Sequence, residues 1–438
     1  MNSLLFAAES DTKGEKRTPA VYIPTIYFAE GLPYVLVNIV SVAFYTKLGI
    51  PDSLIGLYTS LLMWPWIIKM FWGPVVDKYY TKRTWLLFMQ ITCAALFVFI
   101  AAGLNADSFF YSTLILFGII AFVSATHDIS IDGFYMLSIT QKQQAFFVGI
   151  RNLFYRFAMI FGTGALYNIV GKIEANYGIE YSWISAFLIC AVLFAVLTMF
   201  HCWYLPYPAA DIQRNTFSTP SDDDKESYAG FIKYYVSVFK QFFLQKKIIP
   251  ILAFILLFRF GEALLVKMSQ PFLIRSMEEG GLGLSIGVVG DIYGFIGLIS
   301  LMIGGILGGW AIAKFGLRKC IWPMALALNL PNLLYVYLAY VKPPLTQVAA
   351  AIAIEQFGYG VGFSAFMMFL IHISKGENKT SLYAIATGVM ALGLMIPGMI
   401  SGFIREWLGY QNFFIFATLL TIPGMITIFF IPLEDDKH

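Results

Sequence analysis

The stretch GPVVDKYYTKR, residues 73–83, returns as GWAIAKFGLRK at residues 309–319, with Gly73, Lys78, Lys82 and Arg83 matched by Gly309, Lys314, Arg318 and Lys319. Each copy follows a long apolar run, and each is a short basic turn. A match at equivalent places points to two related halves. In this reading a glycine lets two helices approach closely, and the basic residues just beyond it hold the turn at the lipid headgroups.

The rest of the chain has the composition such a repeat needs. Its 438 residues are 59% hydrophobic and 13% charged, and the apolar residues lie in long runs, which describes a polytopic membrane protein. Runs of about 20 apolar residues predict twelve spans, at roughly 21–46, 53–76, 84–104, 109–136, 146–171, 181–204, 248–274, 285–312, 319–341, 345–373, 381–404 and 410–432. Of the 29 basic residues, nineteen fall in the terminal segments and the even-to-odd loops, five in the opposite loops (Lys47, Lys172, Arg275, Lys342, Arg405) and five inside spans. The positive-inside rule therefore puts both termini in the cytoplasm.

The expected organisation is a cytoplasmic segment 1–20, a six-helix bundle 21–205, a linker 206–247, a second six-helix bundle 248–432 and a cytoplasmic tail 433–438. The linker carries STPSDDDKES at 218–227, a flexible composition. Its end, FIKYYVSVFKQFF at 231–243, reads either as an amphipathic helix on the membrane surface or as unstructured chain. The polar opening has no leader-like apolar core, so nothing is expected to be removed. Cys93, Cys190, Cys202 and Cys320 have no paired or metal-binding spacing, and no disulfide, metal or cofactor is expected.

Charges inside the spans carry the functional reading, because each costs on the order of several kcal/mol in a bilayer unless paired or hydrated. Asp128 and Asp132, four apart in span four, stack on one helix face, where mutual repulsion favours proton binding by at least one. Permanent ion pairing, with Arg156 of span five as the obvious partner, is the alternative. Asp132 lies nearer the cytoplasmic end and suits a gate lock, which leaves Asp128 as the preferred proton carrier. His127 points about 100° away and is assigned a minor part.

Lys69 either snorkels to the surface or pairs with Asp128 or Asp132. Arg151 and Arg156, five apart, cannot serve one site, and Arg156 is the better candidate for an anionic substrate group or an aspartate. Arg259 and Glu262 can pair along span seven at i, i+3. Glu355 precedes GYGVG, a stretch that lets span ten bend or pack closely. Glu30 opens EGLP, where Pro33 frees a backbone carbonyl and a polar cavity wall is reasonable.

The repeated turn resembles motif A of the major facilitator superfamily, G-x-x-x-D-(R/K)-x-G-R-(R/K), with Asp77 present, Ala313 in its place in the second copy, and Tyr80 where a glycine is usual. GLPYVL (31–36), KMFWGPVVDKY (69–79), SATHDISIDGF (124–134), YRFAM (155–159), FRFGEAL (258–264) and AIEQFGYGVGFSAF (353–366) resemble, in order, the AmpG family of peptidoglycan-fragment permeases, relatives of the acetyl-CoA transporters. The likeness implies an all-α membrane protein of twelve transmembrane helices with the major facilitator superfamily fold in two six-helix bundles. It favours Lys69, Arg156, Arg259, Glu262 and Glu355 as substrate or ion-pair residues, while Glu30, Lys267 and Asp291 depart from the pattern and leave room for another substrate.

The implied activity is proton-coupled import, by alternating access, of amino-sugar fragments such as anhydro-muropeptides, by a monomer in the inner membrane. The alternative is a related solute, such as another oligosaccharide or an acyl-CoA. None of the four histidines, His127, His201, His372 and His438, belongs to a metal or nucleophile motif, so a membrane enzyme is disfavoured. No basic soluble domain exists for nucleic acid.

Overall fold

The computed structural model describes residues 17–104, 108–212, 233, 236–374 and 379–433, and these form helices with no strand among them. Span one is Pro19–Lys47, three Lys82–Gly103, four Phe109–Ser138, six Ile179–Tyr204, eight Ile286–Phe315, nine Leu317–Val341 and ten Leu345–Ile373. Span five consists of Gln141–Ile160 and Leu166–Tyr177 around a π turn, Phe161–Ala165. It starts before its apolar run because Thr140 and Gln143 close a capping box over polar residues. Span seven is Ile248–Leu257 and Phe260–Ile274.

Ten described helices are long and apolar enough to cross a membrane, against twelve predicted spans, and two local features make up the difference. Span two is broken into Asp52–Leu61, Trp64–Ile68 and Gly73–Lys78, with Pro65 and Pro74 each in the first turn of a piece, where a missing N–H does no harm. Spans eleven and twelve run on as Lys379–Leu419, interrupted at Gly409 with φ 70°, and end with Thr421–Thr427. The chain therefore carries the twelve-helix fold.

Two compact units result, with an exchange that the linear boundaries 21–205 and 248–432 did not foresee. Pro51–Leu61, the start of span two, groups with the second unit, and Ser285–Gly290, the start of span eight, with the first. Both stretches lie on the side poor in Lys and Arg. Small residues make each fit. A Cβ on Gly402 would stand 1.8 Å from Asp52 O in the second unit, and one on Gly171 would stand 3.0 Å from Gly287 N in the first.

Inside the first unit, Tyr22, Tyr27, Ile131, Phe134 and Tyr135 join spans one and four in one buried cluster. In span one a π turn, Leu36–Val40, follows Pro33. Inside the second unit the glycines of GYGVG bring span ten against two neighbours: a Cβ on Gly358 would meet Ala327 O at 2.0 Å, and one on Gly360 would meet Leu301 O at 2.2 Å. The linker is helical at 236–243, and Val238 and Phe242 are buried in the second unit's core with Phe254, Phe366 and Phe369. Phe239 packs against the same core, Val236 and Phe243 are exposed, and Phe231, Ile232 and Tyr235 of the expected apolar side lie outside the described residues. Residues 1–16, 213–232, 234–235 and 434–438, which include most of the terminal segments and linker, lie outside the described residues.

The repeated turn works differently from the sequence reading. Among the described residues, a Cβ on Gly73 or Gly309 would meet nothing within 4 Å, so neither glycine marks a close helix crossing. Lys82 is buried, not at a headgroup, and its Nζ donates to Val76 O at 3.0 Å while its stem covers Gly133. Arg83 donates to Cys202 O at 2.6 Å and Leu205 O at 3.4 Å, satisfying carbonyls at the end of span six. Asp211 accepts from the backbone N–H groups of Lys82 and Arg83 at 2.8 and 3.2 Å, closing the start of span three. In the second copy Lys314 lies 4.9 Å from the Trp310 ring, and Arg318 sits in the first turn of span nine. The Asp77 and Lys78 side chains lie outside the described residues.

The equivalent positions Tyr80 and Gly316 share a left-handed backbone, φ 58° and 80°. Only the second copy has the residue that adopts it without strain, which for a side chain costs about 1–2 kcal/mol. Gly316→Ala is expected to lower the melting temperature of the detergent-solubilised protein, whereas Tyr80→Gly is expected not to lower it. Equal effects of the two changes would show that the two turns do not share this constraint.

Candidate functional site

In the first unit, spans one, two, four and five bring five intramembrane charges together. Lys69 and Asp128 form an ion pair. Asp132 takes Arg151, with Arg151 Nη1 3.2 Å from Oδ1, and accepts a hydrogen bond from Tyr27 at 3.0 Å. The Arg151 guanidinium also covers the Tyr27 ring at 4.7 Å and the Tyr135 ring at 5.5 Å. The helix turn between Asp128 and Asp132 thus assigns each acid its own cation.

Span five supplies its aspartate partner from Arg151 rather than Arg156. Five residues place the two about 140° apart around the helix, and Arg156 Nη1 lies 3.7 Å from Met159 Sδ with no carboxylate paired to it among the described residues. Glu30 is the fifth charge. Its Oε2 is buried with no hydrogen-bond partner among the described residues, and Asp128, Asp132, Lys69 and Arg151 are its charged neighbours. Three carboxylates thus share two paired cations, a deficit that one proton would make good.

Next to this group, on the other face of span four, runs a polar chain that the sequence did not reveal. His127 is fully buried and its Nε2 accepts from the Gln90 amide at 3.2 Å, Gln90 Oε1 lies 2.9 Å from His201 Nδ1, and His201 Nε2 lies 2.9 Å from Thr25 Oγ1. These partners come from spans one, three, four and six. Their spacing in sequence carries no signal. His127 is directed away from the carboxylates, as the helical angle requires.

The second unit holds its charges in closed groups. Arg259 Nε and Nη2 donate to Glu262 at 2.8 and 3.2 Å, and Nη2 donates to Tyr359 Oη at 2.7 Å. The break at Phe258 and Arg259 makes this possible, since Glu262 then sits in the first turn of a new helical piece. Glu355 accepts from Gln356 at 2.9 Å, and the same amide donates to Tyr293 Oη at 3.3 Å.

A further group centres on Asp52, which reads in sequence as an ordinary helix-start residue. Its Oδ1 accepts from Arg275 Nε and Nη2 at 3.2 and 2.9 Å, and its Oδ2 accepts from Tyr410 at 2.8 Å. Arg405 Nε lies 3.0 Å from Oδ2, near enough for charge attraction though not aligned as a hydrogen bond. Glu406 accepts from the Ser53 N–H at 2.8 Å. In sequence Arg275 and Arg405 read as loop charges because they lie at the ends of apolar runs. Only folding brings positions 52, 275 and 405 together.

Comparison with known proteins places these groups in context. The model of the Major Facilitator Superfamily matches residues 25–308 and 271–438. Over 417 residues the chain is 23% identical to a Rickettsia conorii protein named "Putative transporter AmpG 4", covering 92% of this chain and 93% of that one. Over 406 residues it is 26% identical to the anhydromuropeptide permease of Escherichia coli K12, covering 91% of this chain and 77% of the relative. The crystal structure of a D-xylose-proton symporter superposes with a TM-score of 0.69 at 14% identity, covering 94% of this chain and 97% of that one, a likeness of fold.

Asp52 holds two guanidinium groups within ion-pair distance, so its removal strands like charges in a buried place. Asp52→Ala is expected to cost about 3–5 kcal/mol, read as a lower melting temperature in detergent. The double variant Asp52→Ala with Arg275→Met should recover part of the loss. An unchanged melting temperature for the single variant would show that the group contributes nothing to stability.

Proposed function

The chain belongs to the major facilitator superfamily, and from that premise we propose that it imports peptidoglycan-derived amino-sugar fragments, such as anhydro-muropeptides, together with protons. It is a multi-pass membrane transporter, not an enzyme. The substrate class rests on the ordered sequence likeness to peptidoglycan-fragment permeases and on the named activity of the Escherichia coli relative. The basic-residue asymmetry supports a cytoplasmic membrane location with both termini inside. A monomer suffices, because the coupling charges lie within one chain.

The observation that carries proton coupling is the imbalance in the first unit. Glu30, Asp128 and Asp132 share Lys69 and Arg151, and one buried Glu30 oxygen is without a hydrogen-bond partner. A proton entering this group removes the excess negative charge, and a proton on Asp128 frees Lys69. Loss of that proton toward the cytoplasm re-forms the pair. Alternating access then moves cargo and proton in one direction, since the charge state sets which arrangement is favoured. Arg156, with no carboxylate partner among the described residues, is suited to an anionic group of the cargo.

Proteoliposomes with an alkaline interior should accumulate labelled anhydro-muropeptide above its external concentration. No uptake across a panel of amino-sugar fragments would remove this substrate class. Asp128→Asn is expected to abolish uphill accumulation while preserving exchange of internal for external cargo without a gradient. Accumulation at the wild-type level would exclude Asp128 as the proton carrier.

A further inference from the structure

Five basic side chains fall inside the predicted spans, and the fold treats them unequally. Lys69, Arg151 and Arg259 each hold a carboxylate within their own unit. Arg156 and Lys267 hold none among the described residues. Arg156 already has an assignment in the proposed transport cycle. Lys267, in span seven, does not.

Three buried acids of the second unit, Glu262, Asp52 and Glu355, are committed elsewhere. Glu262, five residues earlier, is bound through both oxygens by Arg259. Asp52 is taken by Arg275, eight residues beyond Lys267 and toward the end of the same span. Glu355 is engaged by Gln356. No hydrogen bond to Lys267 is present among the described residues, although it is half-buried in an apolar helix.

Its surroundings are small and polar on one side. A Cβ on Gly398 would lie 2.4 Å from Ser60 Oγ and 3.9 Å from Lys267 Cε, so the glycine lets Ser60 pack closely beside the lysine stem. Val266, the exposed apolar neighbour, points about 100° away around the helix. Lys267 is therefore turned from Val266 and lies beside Ser60 and Gly398. An ammonium without a counter-charge in a span is costly, and no carboxylate among the described residues pairs with Lys267.

We propose that Lys267 binds a carboxylate of the transported solute and makes the transporter select acidic over neutral cargo. This rests on the transport reading above, and it deepens it by requiring an acid on the cargo. The ammonium donates to the carboxylate, and the pair neutralises both charges while they are out of water. Lys267 is a binding residue in this account, with no part in proton transfer.

The test uses purified full-length protein with Lys267→Met and Lys267→Arg, melted in detergent with paired ligands. Each pair is an acid and its neutral amide: muropeptide fragments, N-acetylmuramic acid and simple sugar acids. Without ligand, Lys267→Met should melt at or above the wild-type temperature, because an unpaired charge has been removed, whereas a purely structural lysine would lower it. Wild-type protein should bind the acid about tenfold or more tightly than its amide. Lys267→Met should abolish that preference and Lys267→Arg should keep it.

Overturning results are no acid preference in wild type, an equal loss of both ligands in Lys267→Met, or lost accumulation with unchanged acid preference. An acid preference that depends on Lys267 for sugar acids alone, with no muropeptide bound, would uphold this inference and defeat the muropeptide reading. Muropeptide binding without acid preference would do the reverse.

Discussion

The low dielectric of the bilayer constrains this protein more than any other condition. A charge there must be matched, hydrated or neutralised, and the chain carries at least ten such charges in its apolar segments: Glu30, Lys69, Asp128, Asp132, Arg151, Arg156, Arg259, Glu262, Lys267 and Glu355. Three ion pairs, Lys69 with Asp128, Arg151 with Asp132 and Arg259 with Glu262, take up six of them. What is left over is Glu30 and Glu355 on the acidic side and Arg156 and Lys267 on the basic side. Buried ion pairs add little net stability over apolar packing, so their presence in such number is better explained by what they do. The unmatched groups are where a transported proton or anion has a reason to bind.

The two units handle charge in different ways. In the first, Asp128 and Asp132 each hold one cation, Tyr27 donates to Asp132, and Glu30 lies beside both pairs. In the second, Arg259 is closed by Glu262 and Tyr359, and Asp52 is closed by Arg275 and Tyr410. Such closed groups hold helices in register and leave Lys267 apart. Under the proposed function, the first unit is the coupling half and the second the cargo-selecting half. Both halves nevertheless share one backbone plan, and the left-handed turn at Tyr80 and Gly316 persists even though only one copy has glycine.

Close packing makes these charge contacts possible. A guanidinium and a carboxylate meet at about 3 Å only if their helices are held, and the glycines of spans ten and eleven allow backbones to touch. The exchanged stretches Pro51–Leu61 and Ser285–Gly290 depend on the same device. Through it Asp52 becomes a member of the second unit. A helix start with no evident importance in the sequence thereby becomes the centre of a charge group.

The sequence alone determined the twelve-helix membrane fold, because this depends on local apolar runs and on the length needed to cross a bilayer. It also singled out Asp128, Asp132, Lys69 and Glu30, since a charge in an apolar run is conspicuous wherever its partner lies. Partnership was beyond it. That Arg151 rather than Arg156 meets Asp132, that Gln90 links two histidines, and that Asp52 gathers Arg275 and Arg405 depend on contacts between residues far apart in the chain. The repeated glycines 73 and 309 looked like packing points and are not, while Gly358, Gly360 and Gly402 are. Only the tertiary structure decided these matters, because a pairing energy depends on the distance between side chains, and sequence spacing sets that distance only within a single helix.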